Sequence, residues 1–593
     1  MGDDESSLKT VCVFDAKARY ASAGTVLVLH FGRVVKGGSL SPNSFRFLFF
    51  SMAKNAIIRV VDKAMGRRGL LDMSSTNRTL VKAAGFLMAA QLISRILGFL
   101  RETLMAGFYG QSGVTDAYNT AFVLPDLLYW LLVGGVLSAA FIPVFSEYIA
   151  KGNEDEGWRV ASSVVNLILL TLGVFVLVGL FFTPHFIRLV VPGFEPENMV
   201  LATHLTRILL LQPLFMALSG LTMGILNSYK IFWPSAVGTV LYNASVIFFG
   251  TILANPAKPD SISGFAFGVV FGAIANFAVQ IPALRKVGIR YYPIIDWRHP
   301  GVRLIGALAV PIILSYSLNQ IQVVVNNNFG SMMFPGSITA VWYSYRLFQL
   351  PVGIFALAIA VATFPTLTEQ AALKKWDDFR QTLSNGIRMV IFITLPISVG
   401  MIVLRFPLIR VLFEHGQFTA NDTLMMAIPL FYFSIGITSQ AVIQILPRAF
   451  YALQDTWTPV ILGIIAMAVN ILAMYLLIGP LAHGGLAFAT TIAAFVNMLL
   501  LFYLLRKKIG QMDGWAMFGT SLKSLVASLL MAVVIWVWMQ WLTSVIGIGT
   551  IASLTVLVTG SAIGAIVFAV LAKFLRMQEF EQAMGLVRRK LGA

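Results

Sequence analysis

Val160-Ala-Ser-Ser-Val-Val-Asn-Leu-Ile-Leu-Leu-Thr-Leu-Gly-Val-Phe-Val-Leu-Val-Gly-Leu-Phe-Phe182 runs without a charged side chain past the roughly 20 residues that cross a bilayer core. Stretches of this kind recur almost to the C-terminus, so the chain reads as an all-α polytopic membrane protein forming one continuous bundle. Composition agrees, because 58% of the 593 residues are hydrophobic and only 12% are charged, against about 25% charged in a soluble domain. No soluble catalytic domain fits between the apolar stretches, and no enzymatic activity is expected.

Outward from the span at 158–183, others fall near 80–104, 114–147, 200–228, 232–253, 262–284, 302–328, 337–369, 376–403, 422–451, 457–478, 484–506, 518–543 and 548–575, about fourteen in all. Several exceed the length a bilayer demands, which predicts tilt or kinks, with Pro125, Pro213, Pro311, Pro351 and Pro429 as the kink sites. Residues 1–72 contain no spanning stretch and lack the basic start and apolar core of a signal peptide. They read as a disordered extension, either native or the product of an upstream start codon with Met73 the natural beginning.

The net charge of +17 lies in short runs at helix ends rather than along one face, which argues against nucleic acid as a partner. Connections after even-numbered spans hold fifteen Lys and Arg residues, among them Lys151, Lys230, Arg285, Lys286, Lys374, Lys375, Arg506, Lys507 and Lys508. Those after odd-numbered spans hold only Arg188, Lys258, Arg405 and Arg410. By the positive-inside rule, the even loops and both termini are cytoplasmic. Cys12 is the only cysteine, so neither a disulfide framework nor a Cys-based metal site is available, and no metal or cofactor is expected.

A short repeat supports an internal duplication. Phe141-Ile-Pro-Val-Phe-Ser-Glu147 closes the second span and Thr363-Phe-Pro-Thr-Leu-Thr-Glu369 the eighth, each followed by a charged stretch with a Trp, Trp158 or Trp376. Copies six spans apart share one orientation, which predicts two six-helix lobes related by an axis along the membrane normal. The lobes would be residues 73–290 and 291–512, with two further helices and a basic tail at 513–593.

Ionisable groups inside spans cost about 2.5–3.5 kcal/mol each at a helix centre, so they face a cavity or a partner. The first two spans concentrate them, in Ser94-Arg-Ile-Leu-Gly-Phe-Leu-Arg-Glu102 and Thr115-Asp116. At 100° per residue Arg95 and Glu102 lie on nearly one face while Arg101 points elsewhere; the bland alternative has Arg101 and Glu102 snorkelling to the interface. Arg346, in Tyr343-Ser-Tyr-Arg-Leu-Phe-Gln-Leu-Pro351 of the eighth span, falls on the same side of the membrane. Converging guanidinium forks suit a phosphate or diphosphate headgroup, and a structural Arg346–Asp116 salt bridge is the competing reading. Asn243 and Asn326 to Asn328 read as interhelical glue, and His415 as a solvated surface histidine.

At these residues the sequence resembles the MurJ/MviN family of lipid II flippases, within the multidrug/oligosaccharidyl-lipid/polysaccharide exporter superfamily. Ser94–Glu102, Thr115-Asp-Ala117, Leu124-Pro125 with Ser138-Ala-Ala-Phe-Ile-Pro143, Arg346-Leu with Pro351, and Phe413-Glu-His-Gly-Gln-Phe-Thr419 carry the resemblance, over about residues 76–580. It implies a fourteen-helix monomer in the bacterial inner membrane, moving lipid-linked peptidoglycan precursor to the outer leaflet by alternating access. It further implies that Arg95, Arg101, Arg346 and, more weakly, Asn243 contact the substrate, that Glu102 and Asp116 pair with those charges or gate the cavity, and that the last two helices form a groove for the polyprenyl tail. A membrane potential or an unspecified coupling ion would reset it. Two departures thin the cationic clamp: Tyr129-Trp130 stand where many relatives carry an arginine, and Gln349 where an acid is frequent. The alternatives are a cation-coupled drug or oligosaccharide-lipid exporter of the same superfamily, or a non-transporting scaffold for cell-wall synthesis.

Overall fold

The computed structural model describes residues 75–134 and 140–591, so the reading of residues 1–72 lies outside the described residues. The bundle is the compact unit Thr79–Ala593. It is built from helices, with no strand among the described residues.

The quoted third span shows how a greasy segment becomes a membrane helix. Glu154–Val190 is one continuous helix that buries Val164, Ile168, Leu172, Val176, Gly179, Thr183 and Ile187. Their four- and three-residue spacing makes one stripe, while Phe175, Leu177, Phe181 and Leu189 on the other faces are exposed. A helix apolar all round but buried along one stripe needs lipid on the rest.

Ten helices among the described residues are long and apolar enough to cross a membrane, or eleven when Ala420–Ile435 and Ile437–Ala452, bent by 49°, count as one span. The three other predicted spans are the first, second and seventh. The first is a 35-residue helix, Ser75–Tyr109, interrupted in hydropathy by Arg95, Arg101 and Glu102. The second is divided into Gly113–Ala121, Val123–Tyr129, a π-helical turn Trp130–Gly134, and Ile142–Ala150. The seventh, Pro300–Ser331, is one helix with polar residues near its end, and Pro311 does not break it. The bend expected at Pro429 falls instead at Gly436, where two helices meet, whereas Pro351 does precede a π-helical turn, Val352–Ala356.

The duplication goes deeper than its sequence trace. The two π-helical turns begin at the same distance, thirteen residues, before Pro143 and Pro365. Both copies then end in the same helix stop: Gly152 and Lys374 take positive φ of 72° and 55°, and the next amides bond back as Asn153 N to Tyr148 O at 3.0 Å and Lys375 N to Gln370 O at 2.9 Å, a Schellman motif. The fourth and tenth spans repeat it with Lys230 and Gln454 at positive φ, each three residues before a tryptophan, Trp233 or Trp457.

Separate cores organise the bundle. One gathers Phe141, Phe145, Trp158, Leu172 and Leu221; another Phe348, Phe379, Phe433, Phe450 and Leu501. A third spans both sets of helices, with Tyr118, Phe265, Tyr343 and Phe413. The last two long helices, Gly514–Ile546 and Thr550–Phe574, pack on Trp376–Phe413 through Phe392, Met531, Ile535 and Phe568. Arg388 anchors the final amphipathic helix there, pairing with Glu579 at 2.6 Å.

Candidate functional site

The first helix and the eighth span lie antiparallel, and their polar residues meet in register. Glu102, 3% exposed, receives Arg101 at 2.6 Å and Arg346 at 3.1 Å on the same oxygen, Oε1. One carboxylate therefore joins a guanidinium from each half of the chain. Two turns further along both helices, the Arg95 guanidinium approaches Gly353, 3.9 Å from where a Cβ would sit. Arg95 is exposed, and no carboxylate pairs with it among the described residues. Arg346 is 40% exposed at its side chain and lies over Trp342, 5.8 Å from the ring centroid. The three predicted arginines thus lie, at two levels, along the interhelical cleft where the first helix meets the eighth span.

Asp116 sits elsewhere. Its carboxylate accepts from the backbone N–H of Gly336 and Thr339, both at 2.7 Å, and from the Thr339 hydroxyl at 2.6 Å. These are groups at the start of the Ser337–Pro351 helix, where unsatisfied N–H donors and the helix dipole favour an anion. The Arg346–Asp116 bridge weighed from sequence gives way to an Arg346–Glu102 bridge, because Asp116 reaches the helix terminus while Arg346 lies more than two turns inside it.

Around Asp116 the two halves are latched together. Asn119 donates to Thr339 at 3.1 Å and Thr120 to Asn327 at 3.2 Å. Gly336 has φ of 92°, and a Cβ there would stand 2.6 Å from the Gln111 carbonyl, so only glycine fits. The Phe413–Thr419 motif completes the seam: Gln417 N donates to Gly107 O at 2.9 Å, and His415 Nε2 lies 3.0 Å from Thr103 O. His415 is therefore not the solvated surface residue its sequence suggests; partial burial, only partly offset by that bond, holds its imidazole below the usual histidine range.

Asn243 is a packing residue in this geometry. Its amide donates to Ser94 Oγ at 3.0 Å and to Thr239 O at 3.1 Å, tying the first helix to Trp233–Leu253. Tyr129 and Trp130 pack edge to face with each other, and Gln349 donates to the Tyr345 hydroxyl at 2.6 Å.

Sequence reasoning missed Asp126. Its carboxylate lies within electrostatic reach of Arg346 and Arg101, and no side-chain hydrogen bond holds it among the described residues. The signal was present: an acid directly after Leu124-Pro125 inside a span is itself an intramembrane charge. Trp342 was also missed, since one aromatic in an apolar helix gives no signal without the guanidinium above it.

A multi-pass helical bundle whose halves converge charged side chains on a cleft has the build of a membrane transporter. The chain belongs to the MurJ family: the family described as lipid II flippase MurJ matches residues 105–558. The probable lipid II flippase MurJ of Buchnera aphidicola subsp. Acyrthosiphon pisum is 35% identical over 412 residues, 69% of this chain and 80% of that relative. The lipid II flippase MurJ of Burkholderia cenocepacia is 30% identical over 453 residues, 75% of this chain and 87% of that one. Among solved structures, a lipid II flippase MurJ in an inward closed conformation superposes with a TM-score of 0.70 at 28% identity, covering 82% of this chain and 99% of the other. An inward-facing MATE family transporter of the MOP superfamily, 16% identical with a TM-score of 0.56 over 76% of this chain and 98% of its own, shares the fold alone.

Proposed function

We propose that this chain carries lipid II from the cytoplasmic to the outer leaflet of a bacterial inner membrane by alternating access, making and breaking no covalent bond. The observation that carries the reading is the Arg101–Glu102–Arg346 bridge, which holds two guanidinium groups from opposite halves on one carboxylate oxygen. An incoming diphosphate competes with Glu102 for those forks, since phosphate oxygens accept the same bidentate bonds. Arg95, two turns nearer the cytoplasm in our topology, meets the headgroup first. Asp116 acts as the outer gate, closed while it caps the Ser337–Pro351 helix and released when the halves separate. Asn243 keeps the first helix in place rather than touching the cargo.

The topology we assign has fourteen crossings and both termini in the cytoplasm, following the loop charges. The last two long helices, with Trp515, Phe518 and Phe574 exposed, offer an apolar face for the polyprenyl tail. Arginines in the cleft disfavour a cationic drug as cargo.

The test is headgroup accessibility in proteoliposomes carrying lipid II. The wild-type protein moves lipid II across the bilayer, and Arg346→Ala lowers the rate about tenfold or more, the scale of one charge-assisted bond of about 1.5–3 kcal/mol. Absence of movement with correctly inserted wild-type protein refutes the reading.

A further inference from the structure

A cavity of about 420 Å³ lies among the helices of the C-terminal half. That is within the range of small-molecule sites, about 300–1,000 Å³. Unlike the cleft, its walls carry no charged side chain; they combine the amides of Asn326, Gln440, Asn470 and Asn497 with the rings of Trp342 and Tyr345.

Three of its wall amides have oxygens without a partner. The Oδ1 atoms of Asn326, Asn470 and Asn497, from three different helices, are buried without a hydrogen-bond partner. Asn470 is 1% exposed, and its amide nitrogen is already committed to Thr490 at 3.3 Å. Buried polar atoms are rarely left unpaired in native proteins. Three wall amides whose oxygens are buried unpaired can turn those oxygens toward the cavity, and so suit a ligand rich in neutral donors. A phosphate has acceptors where donors are wanted and finds no cation here. Hydroxyl and amide N–H groups on a ring with an apolar face match both the oxygens and the aromatic walls.

The cavity also adjoins the cleft. Trp342 lines the cavity while Arg346 lies over the same ring, 5.8 Å from its centroid. Tyr345 is held by the bond from Gln349.

We propose that this cavity is a saccharide subsite, receiving the N-acetylated amino sugar that is joined directly to the diphosphate held by Arg101 and Arg346. The proposal rests on lipid II being the cargo, and it assigns the sugar and the phosphates to separate chambers with one shared wall.

The experiment measures dissociation constants of the full chain in lipid nanodiscs for lipid II and for undecaprenyl diphosphate, which has the same tail and phosphates but no sugar. Asn470→Leu and Asn497→Leu remove one acceptor each while keeping the branched shape of the side chain. Gly463→Leu fills the cavity, since a Cβ at Gly463 meets open space, and it replaces glycine by a good helix former. Each variant is expected to weaken lipid II binding about tenfold, the scale of one hydrogen bond with its partner left unpaired, and to leave undecaprenyl diphosphate binding unchanged. Equal weakening for both ligands, or no change in any of the three, overturns the subsite. If wild-type protein flips lipid II while the variants keep its selectivity, the subsite alone falls. If wild-type protein neither binds nor moves lipid II, the transport reading falls with it.

Discussion

The charged cleft and the neutral cavity share Trp342, yet they treat their polar groups in opposite ways. In the cleft, Arg101 and Arg346 are both satisfied by Glu102; in the cavity wall, three amide oxygens are buried without a partner. The difference follows from cost. An uncompensated buried charge costs several kcal/mol, about 3–5 when one partner of a pair is removed, whereas an unpaired neutral acceptor costs about 1–3 kcal/mol. A transporter can wait for cargo with unpaired amides but not with a bare buried guanidinium, and Arg95, which no carboxylate pairs among the described residues, is exposed. On the proposed reading, Glu102 is an internal substitute for the anion, and loading the cleft is an exchange rather than a simple addition.

The sharpest way to break this contrast is to remove that substitute. Glu102→Ala leaves two guanidinium groups facing each other and should lower stability by about 3–5 kcal/mol, read as a drop in the melting temperature of purified protein that added undecaprenyl diphosphate partly restores. Asn470→Leu, by the same measurement, should leave the melting temperature unchanged or raised. Equal destabilisation by the two variants would erase the distinction.

Asp116 tests the seam that closes the cleft. Asp116→Ala removes three acceptor contacts at a helix start and should weaken the closed state by about 2–3 kcal/mol. In a Cys12→Ser background, a cysteine at Thr120 should then react faster with an impermeant maleimide added outside, while overall folding is retained.

Asp126 tests the balance of charge within the cleft. Asp126→Asn removes a negative charge near Arg101 and Arg346, and should tighten undecaprenyl diphosphate binding by about 1 kcal/mol, roughly fivefold. Weaker binding would instead make Asp126 a positioning group for the arginines.

The smallest effect expected is with pH. His415 has its folded-state pKa lowered by burial, so the closed seam is favoured above the ordinary histidine value, about 6.5, and is progressively penalised as pH falls below it toward the folded value. Maleimide accessibility at Thr120→Cys should rise modestly between pH 7.5 and 5.5, and His415→Gln should flatten that response.

Much of this architecture was legible in particular residues. The uncharged run from Val160 to Phe182 gave the membrane helix, because lipid leaves a polypeptide little alternative once side chains are apolar on every face. The FIPVFSE and TFPTLTE segments pointed to the duplication, and the same αL helix stop at Gly152 and Lys374 extends it into geometry. Intramembrane Arg95, Arg101, Glu102 and Arg346 were conspicuous by their expense. The partners were not legible. That Glu102 takes Arg346 while Asp116 takes a helix start depends on how far apart those groups lie along two antiparallel helices. Asn470 and Asn497 gave no signal, since an amide in a span is ordinarily glue.

The sequence by itself determined that this is a multi-pass helical protein with costly charges inside its spans, because hydropathy and charge are local properties read residue by residue. Only the tertiary structure decided which charges neutralise one another, which amide oxygens are buried unpaired, and that Trp342 lines the neutral cavity while lying under Arg346. Those depend on residues hundreds of positions apart being brought within hydrogen-bonding distance, and no local property of the chain encodes that.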